Sequence, residues 1–321
     1  MALTDLKVWE EKTYSAYQEL LDYNVNQFNQ ATMGGLVLTS GSMLGDFSTE
    51  AFWARIAGST VRRRNVYGSG SLSAQALSMK ERSKVKVAAG TYPINLDPSQ
   101  FTWIQKSPEE AAAVYGRQLA QDTMNDMLSV AIKVYKAAIG AQPTNVRNPT
   151  TQEVASYKGL LSTAALFGDR ASDIQCWLMH SAVMYEILGS NLDNANHLFT
   201  FGDIKVMQDG FGRPFVVTDN PNLYDTVTSK VVYSVLGLTQ GAVVIEQNND
   251  FLGNTDNRNG GENISRTYQA EWSYNVSQKG FSWNKTDGGH SPTDAALATA
   301  TNWIKTAASI RDLGGVIGMF I

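Results

Sequence analysis

The chain has 321 residues, a formal net charge of −4, and 43% hydrophobic residues, which is enough for a sizeable core. Charged residues make up only 17%, against about 25% in ordinary soluble proteins, and such a weakly charged surface is typical of contacts between copies of a chain. No apolar run is long enough for a membrane span, no leader predicts export, and the single Cys176 excludes an internal disulfide.

The charge is distributed unevenly along the chain. Residues 1–30 have a net charge of −3, to which Glu10 and Glu11 contribute. Residues 51–90 have a net charge of +7, from eight basic residues and one acid. The basic residues that stand out are Arg62, Arg63, Arg64, Lys80, Arg82, Lys84 and Lys86. This asymmetry predicts that different segments of the chain face different partners.

The first hundred residues predict a helix followed by an extended segment. Residues 4–29 form a polar pattern with a loose apolar stripe, so this helix needs another surface to stabilise it. Residues 51–99 are broken by glycines and poor in apolar residues, and Val85 and Val87 alternate with lysines, which predicts a two-stranded hairpin. Because an isolated hairpin is marginally stable in water, we expect a neighbouring copy to complete it.

The clearest helix lies between residues 108 and 139. Pro108 at the first helical position and a capping box of Ser107 and Glu110 predict its start, and Gly140 predicts its end. Its 32 residues would span about 48 Å. Because the mean helix has only about 11–12 residues, this length indicates a rigid strut.

The rest of the chain predicts short strands and helices. In chain order these are a strand at 173–179, a helix at 182–188, strands at 213–218, 231–238 and 242–245, a loop at 248–263, and a last helix from 291 to about 312. Residues 268–277 give the clearest strand, because apolar residues alternate strictly with polar ones. We expect the sheet that carries Trp272 to pack against the long helix.

No motif predicts an enzyme, a metal site or a nucleotide site. His180 beside Ser181 could pair a base with a nucleophile, but adjacent residues point to different sides and no nucleophile elbow surrounds them. The polar residues between 250 and 262 fail the spacing of a calcium loop. The arginine run 62–64 would suit nucleic acid, and complementarity to an acidic neighbour explains it at least as well.

The order of these parts resembles the major capsid proteins of tailed bacteriophages, which have the Hong Kong 97-type fold. Each local match is short, and together they follow the family's order over nearly the whole chain. The matching segments are 176–181 (CWLMHS), 212–219 (GRPFVVTD), 241–246 (GAVVIE), 268–276 (YQAEWSYNV) and 293–303 (TDAALATATNW).

The resemblance implies an α+β fold with an N-arm, an extended E-loop hairpin, a long spine helix, a P-domain antiparallel sheet and an A-domain. The implied boundaries are an N-terminal arm at 1–32, P-domain at 33–50 and 100–146 including the spine helix 108–139, E-loop at 51–99, A-domain at 147–230, P-domain strands and loop at 231–290, and a C-terminal helix and tail returning to the A-domain at 291–321.

The implied function is that of a structural subunit without cofactor or membrane contact. It would self-assemble in the host cytoplasm into hexamers and pentamers of an icosahedral virion shell that matures from a procapsid and encloses double-stranded DNA. Portal and possible cement proteins are implied, with non-specific DNA contact on the inner face. No long charged coiled coil precedes the arm, which predicts a separate scaffolding protein, and no Lys–Asn cross-link is predicted.

The basic residues of the E-loop and of its strand are the expected contacts between subunits. We expect them to meet acidic surface on a neighbour, with Glu10 and Glu11 of the N-arm as one candidate. Three alternatives stay open at this point: an encapsulin-type nanocompartment shell, an α+β hydrolase using His180 and Ser181, and a tail or adaptor protein that forms rings.

Overall fold

The computed structural model describes residues 2–53, 61–74, 79–148, 153–189, 196–201, 204–208, 213–227, 230–260 and 264–321. The helices in these ranges are α1 Ala2–Ala31, α2 Pro98–Lys106, α3 Pro108–Gly140, α4 Tyr157–Ala164, α5 Ser181–Gly189 and α6 Asp294–Leu297. The strands are β1 Leu36–Gly41, β2 Phe47–Trp53, β3 Met79–Gly90, β4 Ile94–Asn95, β5 Val146–Arg147, β6 Ile174–Met179, β7 Asn196–Phe201, β8 Ile204–Gln208, β9 Pro214–Val217, β10 Tyr224–Val227, β11 Lys230–Thr239, β12 Val243–Asn248, β13 Leu252–Arg258, β14 Ser265–Gln278, β15 Phe281–Trp283, β16 Trp303–Lys305 and β17 Gly315–Phe320.

The long helix α3 is the strut that the sequence predicts. It has 33 residues, or about 50 Å at 1.5 Å per residue, and most of its second half is buried. The predicted capping box is absent, because Ser107 makes no side-chain capping bond. The box occurs instead at α2, where the N–H of Asp97 donates to Oε1 of Gln100. The position of the helix was therefore predicted correctly, whereas its capping was not.

The N-terminal helix α1 packs along α3 of the same chain. Its buried face repeats every three or four residues, as an amphipathic helix requires, and consists of Leu6, Trp9, Thr13, Tyr17, Leu21 and Phe28. Gly116 of α3 permits this close approach, since a Cβ there would lie 3.1 Å from Thr13 O and from Ala16 Cβ. The predicted need of α1 for a stabilising surface is met within the chain.

The first sheet has the strand order β1-β12-β14-β3-β2, and β13 and β4 both pair with β14. Its central strand β14 is the predicted alternating strand, extended to 14 residues. β3 lies inside this sheet, and its residues Val85 and Val87 are buried. Residues 79–90 therefore belong to the folded body, which corrects the prediction that the whole of 51–99 is a hairpin unable to bury itself.

The second sheet has the order β5-β17-β11-β6-β9-β8-β7, with β10 paired to β11. β11 lies in this sheet, whereas β12 lies in the first sheet, so the predicted grouping of 231–290 as one set of strands is wrong at its start. The chain changes sheets at a turn where Gly241 has a φ of +64°, a conformation that favours glycine. Tyr135 of α3 reaches this sheet, and its hydroxyl donates to Gly237 O at 2.8 Å.

Two further sequence predictions are wrong. The predicted C-terminal helix is only the four residues of α6, because Trp303 turns back and its indole N–H donates to Leu297 O at 3.0 Å. The chain then forms β16 and ends in β17 of the second sheet. The predicted loop at 248–263 contains β13, which pairs with β14 from Leu252 to Arg258 despite its polar composition.

Candidate subunit interface

The basic loop, which we define as residues 61–74, is the most exposed part of the described chain. It is flanked by β2 and β3, which pair up to Trp53 and Met79. Every residue from 61 to 74 is exposed, including Tyr67 at 97% and Leu72 at 65% of their full surface. Exposed apolar side chains on a projecting segment mark a surface for contact with another protein.

The arginine run 62–64 lies in this loop without a carboxylate partner. Among the ion pairs of the described residues, none includes these three arginines. The guanidinium of Arg62 donates only to the neighbouring Arg63 O, at 3.4 Å. Three adjacent guanidinium groups therefore face solvent, where they are available to an acidic surface.

The other four predicted contact residues lie on β3 and have partners within the chain. Lys80 donates to Thr306 O at 3.1 Å, Arg82 to Ser277 Oγ at 3.3 Å, and Lys86 to Met43 O at 3.1 Å. Lys84 Nζ lies 2.7 Å from Glu246 Oε1 and 3.4 Å from Glu50 Oε1. These contacts hold the four side chains on their own subunit and separate them from the arginine run.

The environment of Lys84 is the most strongly paired of the four. Burial lowers the pKa of Lys84, but the hydrogen bond and charge of Glu246, with those of Glu50, outweigh it and raise the pKa above its ordinary value. Lys84 therefore remains charged, and it connects β3 to β12 and β2 across the sheet.

The predicted acidic partners lie on α1. Glu10 is half-buried and Glu11 is exposed. Burial, and then the charge of Glu11, raise the pKa of Glu10, while Lys7 lowers it. Neither glutamate contacts the arginine run within the described chain, so the structure does not bring the two predicted groups together in one subunit.

Sequence reasoning missed an acidic groove between α3 and the first sheet. The groove has a volume of about 740 Å³, and its lining includes Asp122, Asp126, Asp294, Tyr92 and Trp272. Asp122 and Asp126 are four residues apart on α3 and therefore share a face, a spacing visible in the sequence. Asp294 is supplied by a distant segment, so the sequence gave no sign that the three carboxylates converge.

The carboxylates of the acidic groove have different surroundings. Asp126 Oδ2 accepts from the Tyr274 hydroxyl at 2.7 Å, and Asp294 Oδ2 lies 2.5 Å from Lys133 Nζ. Burial raises the pKa of Asp126, and the charge of Asp294 adds to this, while Tyr274 and Lys133 lower it. Asp122 is exposed and takes part in no ion pair among the residues that the structure describes. The groove is therefore a region of uncompensated negative charge.

The residues that suggested chemistry have structural surroundings. His180 Nδ1 accepts from the Ala182 N–H at 3.1 Å, and its ring packs on Tyr224 and Tyr233. Asp250 accepts from the N–H of Ser273 at 2.9 Å, which ties the polar segment 250–262 to β14. These contacts use each side chain for packing or for connecting strands.

Two searches of the described residues gave negative results. The described part of the chain contains no cluster of three or more His, Cys, Asp or Glu residues that could bind a metal ion. Among its helices, none is both long enough and apolar enough to span a bilayer.

The fold is that of phage capsid subunits. A chain of the cyanophage Pam1 capsid asymmetric unit is similar over 89% of this chain and 88% of its own length, with 10% identity and a TM-score of 0.51. Chains of Microbacterium phage Oxtober96 (11% identity, 90% of each chain, TM-score 0.47) and of the head of Helicobacter pylori bacteriophage KHP40 (10% identity, 89% and 87%, TM-score 0.45) are also similar. No curated protein sequence matches the chain.

The sequence itself places the chain in a family. The model of the Gp13-like family, described as Major capsid protein 13-like, matches residues 5–317. The chain therefore belongs to this family of major capsid proteins and is a structural subunit of a phage head shell, and so part of the virion. The predicted class of protein is confirmed, and the nanocompartment, hydrolase and tail-protein alternatives are set aside.

Proposed function

We propose that copies of this chain assemble into hexamers and pentamers through the basic loop, which crosses onto a neighbouring subunit. The carrying observation is the arginine run 62–64, fully exposed and without an acidic partner in its own chain. A loop with this charge and with exposed Tyr67 and Leu72 loses less by docking on a neighbour than by remaining in solvent, because its apolar surface is then covered.

The proposal assigns the parts of the fold to the capsid anatomy. The first sheet with α3 corresponds to the P-domain and its spine helix, and the second sheet corresponds to the A-domain. The basic loop corresponds to the tip of the E-loop, and α1 to the N-arm. The shell encloses double-stranded DNA, which contacts the inner face without sequence specificity, and assembly involves a separate scaffolding protein, a portal and a cement protein.

The test is the triple substitution Arg62→Glu, Arg63→Glu and Arg64→Glu. We expect a folded subunit that forms no closed shells, because the loop would then repel the acidic surface it should meet. Negative-stain microscopy and sedimentation velocity measure assembly, and circular dichroism checks the fold. The matched control is Arg62→Lys, Arg63→Lys and Arg64→Lys, which keeps the charge and should assemble. Normal shells from the glutamate variant would show that the basic loop does not drive assembly.

A further inference from the structure

The acidic groove contains negative charge that the subunit itself does not balance. Three aspartates contribute to its lining, and no lysine or arginine does. Lys133 reaches Asp294 from outside the lining and leaves Asp122 and Asp126 without a cation at hydrogen-bonding distance. A cation entering the groove would therefore meet two carboxylates that lie one helical turn apart on α3.

Aromatic side chains stand beside these carboxylates. Tyr92 is 91% exposed at the groove, so its ring is open to a ligand. Trp272 is only 8% exposed, and its indole N–H has no acceptor among the described residues. A guanidinium group binds carboxylates through its N–H groups and stacks on aromatic faces, while the indole N–H suits a peptide carbonyl. The groove thus has the chemistry to bind an arginine-containing peptide segment.

We propose that the acidic groove of one subunit receives the arginine run 62–64 of a second copy of the chain. This inference rests on the proposed function above and names the surface on which the basic loop docks. The three arginines have no carboxylate partner in their own chain, and the groove has three carboxylates in its lining. The two surfaces match in sign and in number of charges, which favours their association and fixes its register.

The position of the two surfaces on the fold requires a second copy. The basic loop joins the body where Met79 starts β3, and Ala88, Ala89 and Gly90 at the other end of β3 contribute to the groove. About nine residues of strand, or roughly 30 Å, separate these two ends. A loop that points away from one end and a groove at the opposite end make a head-to-tail contact, which closes rings when it is repeated.

The raised pKa of Asp126 agrees with this arrangement. Burial and the nearby Asp294 disfavour its ionised form in the isolated subunit. An arginine from a second copy would relieve this repulsion and return the pKa toward its ordinary value. Assembly would therefore stabilise the ionised groove and would weaken as the aspartates become protonated.

The first experiment compares charge reversals on the two candidate acceptors. Asp122→Arg should raise the protein concentration needed for assembly by about tenfold or more. Its matched control, Glu11→Arg, reverses an exposed acid on α1 and should leave that concentration within about twofold. Combining Asp122→Arg with Arg63→Asp should restore assembly, because the pair is then exchanged in sign. Impairment by Asp122→Arg without this recovery would count against the proposal, since the groove would then bind a different cation.

The outcomes separate this proposal from the proposed function. Normal assembly of Asp122→Arg, with failure of the Arg62→Glu, Arg63→Glu, Arg64→Glu variant, would overturn the groove as acceptor and leave the role of the loop intact. Failure of Glu11→Arg together with normal assembly of Asp122→Arg would move the acceptor to α1. Normal assembly of all these variants would overturn both proposals.

A second experiment detects the contact directly. In assembled particles carrying Arg63→Cys and Asp122→Cys, mild oxidation should produce a ladder of disulfide-linked subunits on a non-reducing gel. Cys176 does not interfere, because it is fully buried and its burial raises the pKa of the thiol to about 12. A ladder from Arg63→Cys with Glu11→Cys, and none from the groove pair, would contradict the proposal.

Discussion

At the scale of single residues, a side chain's role in this subunit depends on whether its own chain supplies a partner. Lys84 and Arg63 are both cations of the same basic region, yet Lys84 lies 2.7 Å from Glu246 and Arg63 has no carboxylate near it among the described residues. The first stabilises the sheet and the second is left for contact with another molecule. Removing Lys84 should therefore affect folding, whereas removing Arg63 should affect assembly.

Asp126 allows a prediction about pH. Its pKa is raised in the folded subunit, by burial first and then by Asp294, so the folded state holds this proton more tightly than the unfolded state does. The stability of the isolated subunit should then fall as pH rises from the ordinary pKa of an aspartate to the raised value. Asp126→Asn keeps an acceptor for Tyr274 and removes that loss.

The measurement is the free energy of unfolding of the unassembled subunit in urea between pH 3 and 7, titrated in steps of about one unit. We expect the Asp126→Asn variant to be more stable than the parent chain at pH 7 and equal to it below the ordinary aspartate pKa. Equal stabilities at all pH values would mean that ionisation of Asp126 costs the fold nothing. Asp225→Asn is not a suitable control because Asp225 pairs with Lys136, so the exposed Asp287 of the 284–290 turn is preferable.

At the scale of elements, the packing of α1 on α3 depends on the absence of a side chain at Gly116. A Cβ there would lie 3.1 Å from three atoms of α1, two of which are backbone. Gly116→Val adds two further methyl groups, and such overpacking costs about 1–3 kcal/mol. We expect that loss of stability in urea or thermal unfolding.

The matched control for this substitution lies on the same helix. Gly140 ends α3 with open space around its Cβ position, so Gly140→Ala should leave the stability unchanged or raise it slightly, because alanine favours the helix. If Gly116→Val were equally harmless, α1 would not be held against α3 as closely as the structure indicates.

At the scale of the whole molecule, the folded body and the assembly surface are separable. The pair Trp53 and Met79 closes the β2–β3 hairpin at the body, and residues 61–74 beyond it are all exposed. Replacing residues 54–78 with an Asn-Gly turn should give a monomer with an unchanged thermal midpoint, because that dipeptide joins antiparallel strands directly. Sedimentation velocity should find no shells. Shell formation by this shortened chain would place the main assembly contacts elsewhere.

Sequence reasoning was most successful where a local pattern was long. The 3.6-residue pattern that ends at Gly140 and the strict alternation through Trp272 predicted α3 and β14, because each pattern extends over many residues and both elements bury one face. The predicted C-terminal helix failed because Trp303 gains more by packing against Trp283, with ring centroids 5.0 Å apart, than by continuing a helix. Local propensity is weak and yields to such tertiary contacts.

The sequence by itself determined the class of this protein: its uneven charge, its long helix and the order of its short motifs all point to a capsid subunit, as the family match to residues 5–317 confirms. Only the tertiary structure decided which cations are paired within the subunit and where its acidic residues converge. The physical reason is range. Helix and strand patterns are set by neighbours a few residues apart, whereas the groove joins Asp122 of α3 to Asp294 near the end of the chain, and Lys84 meets a glutamate from another strand.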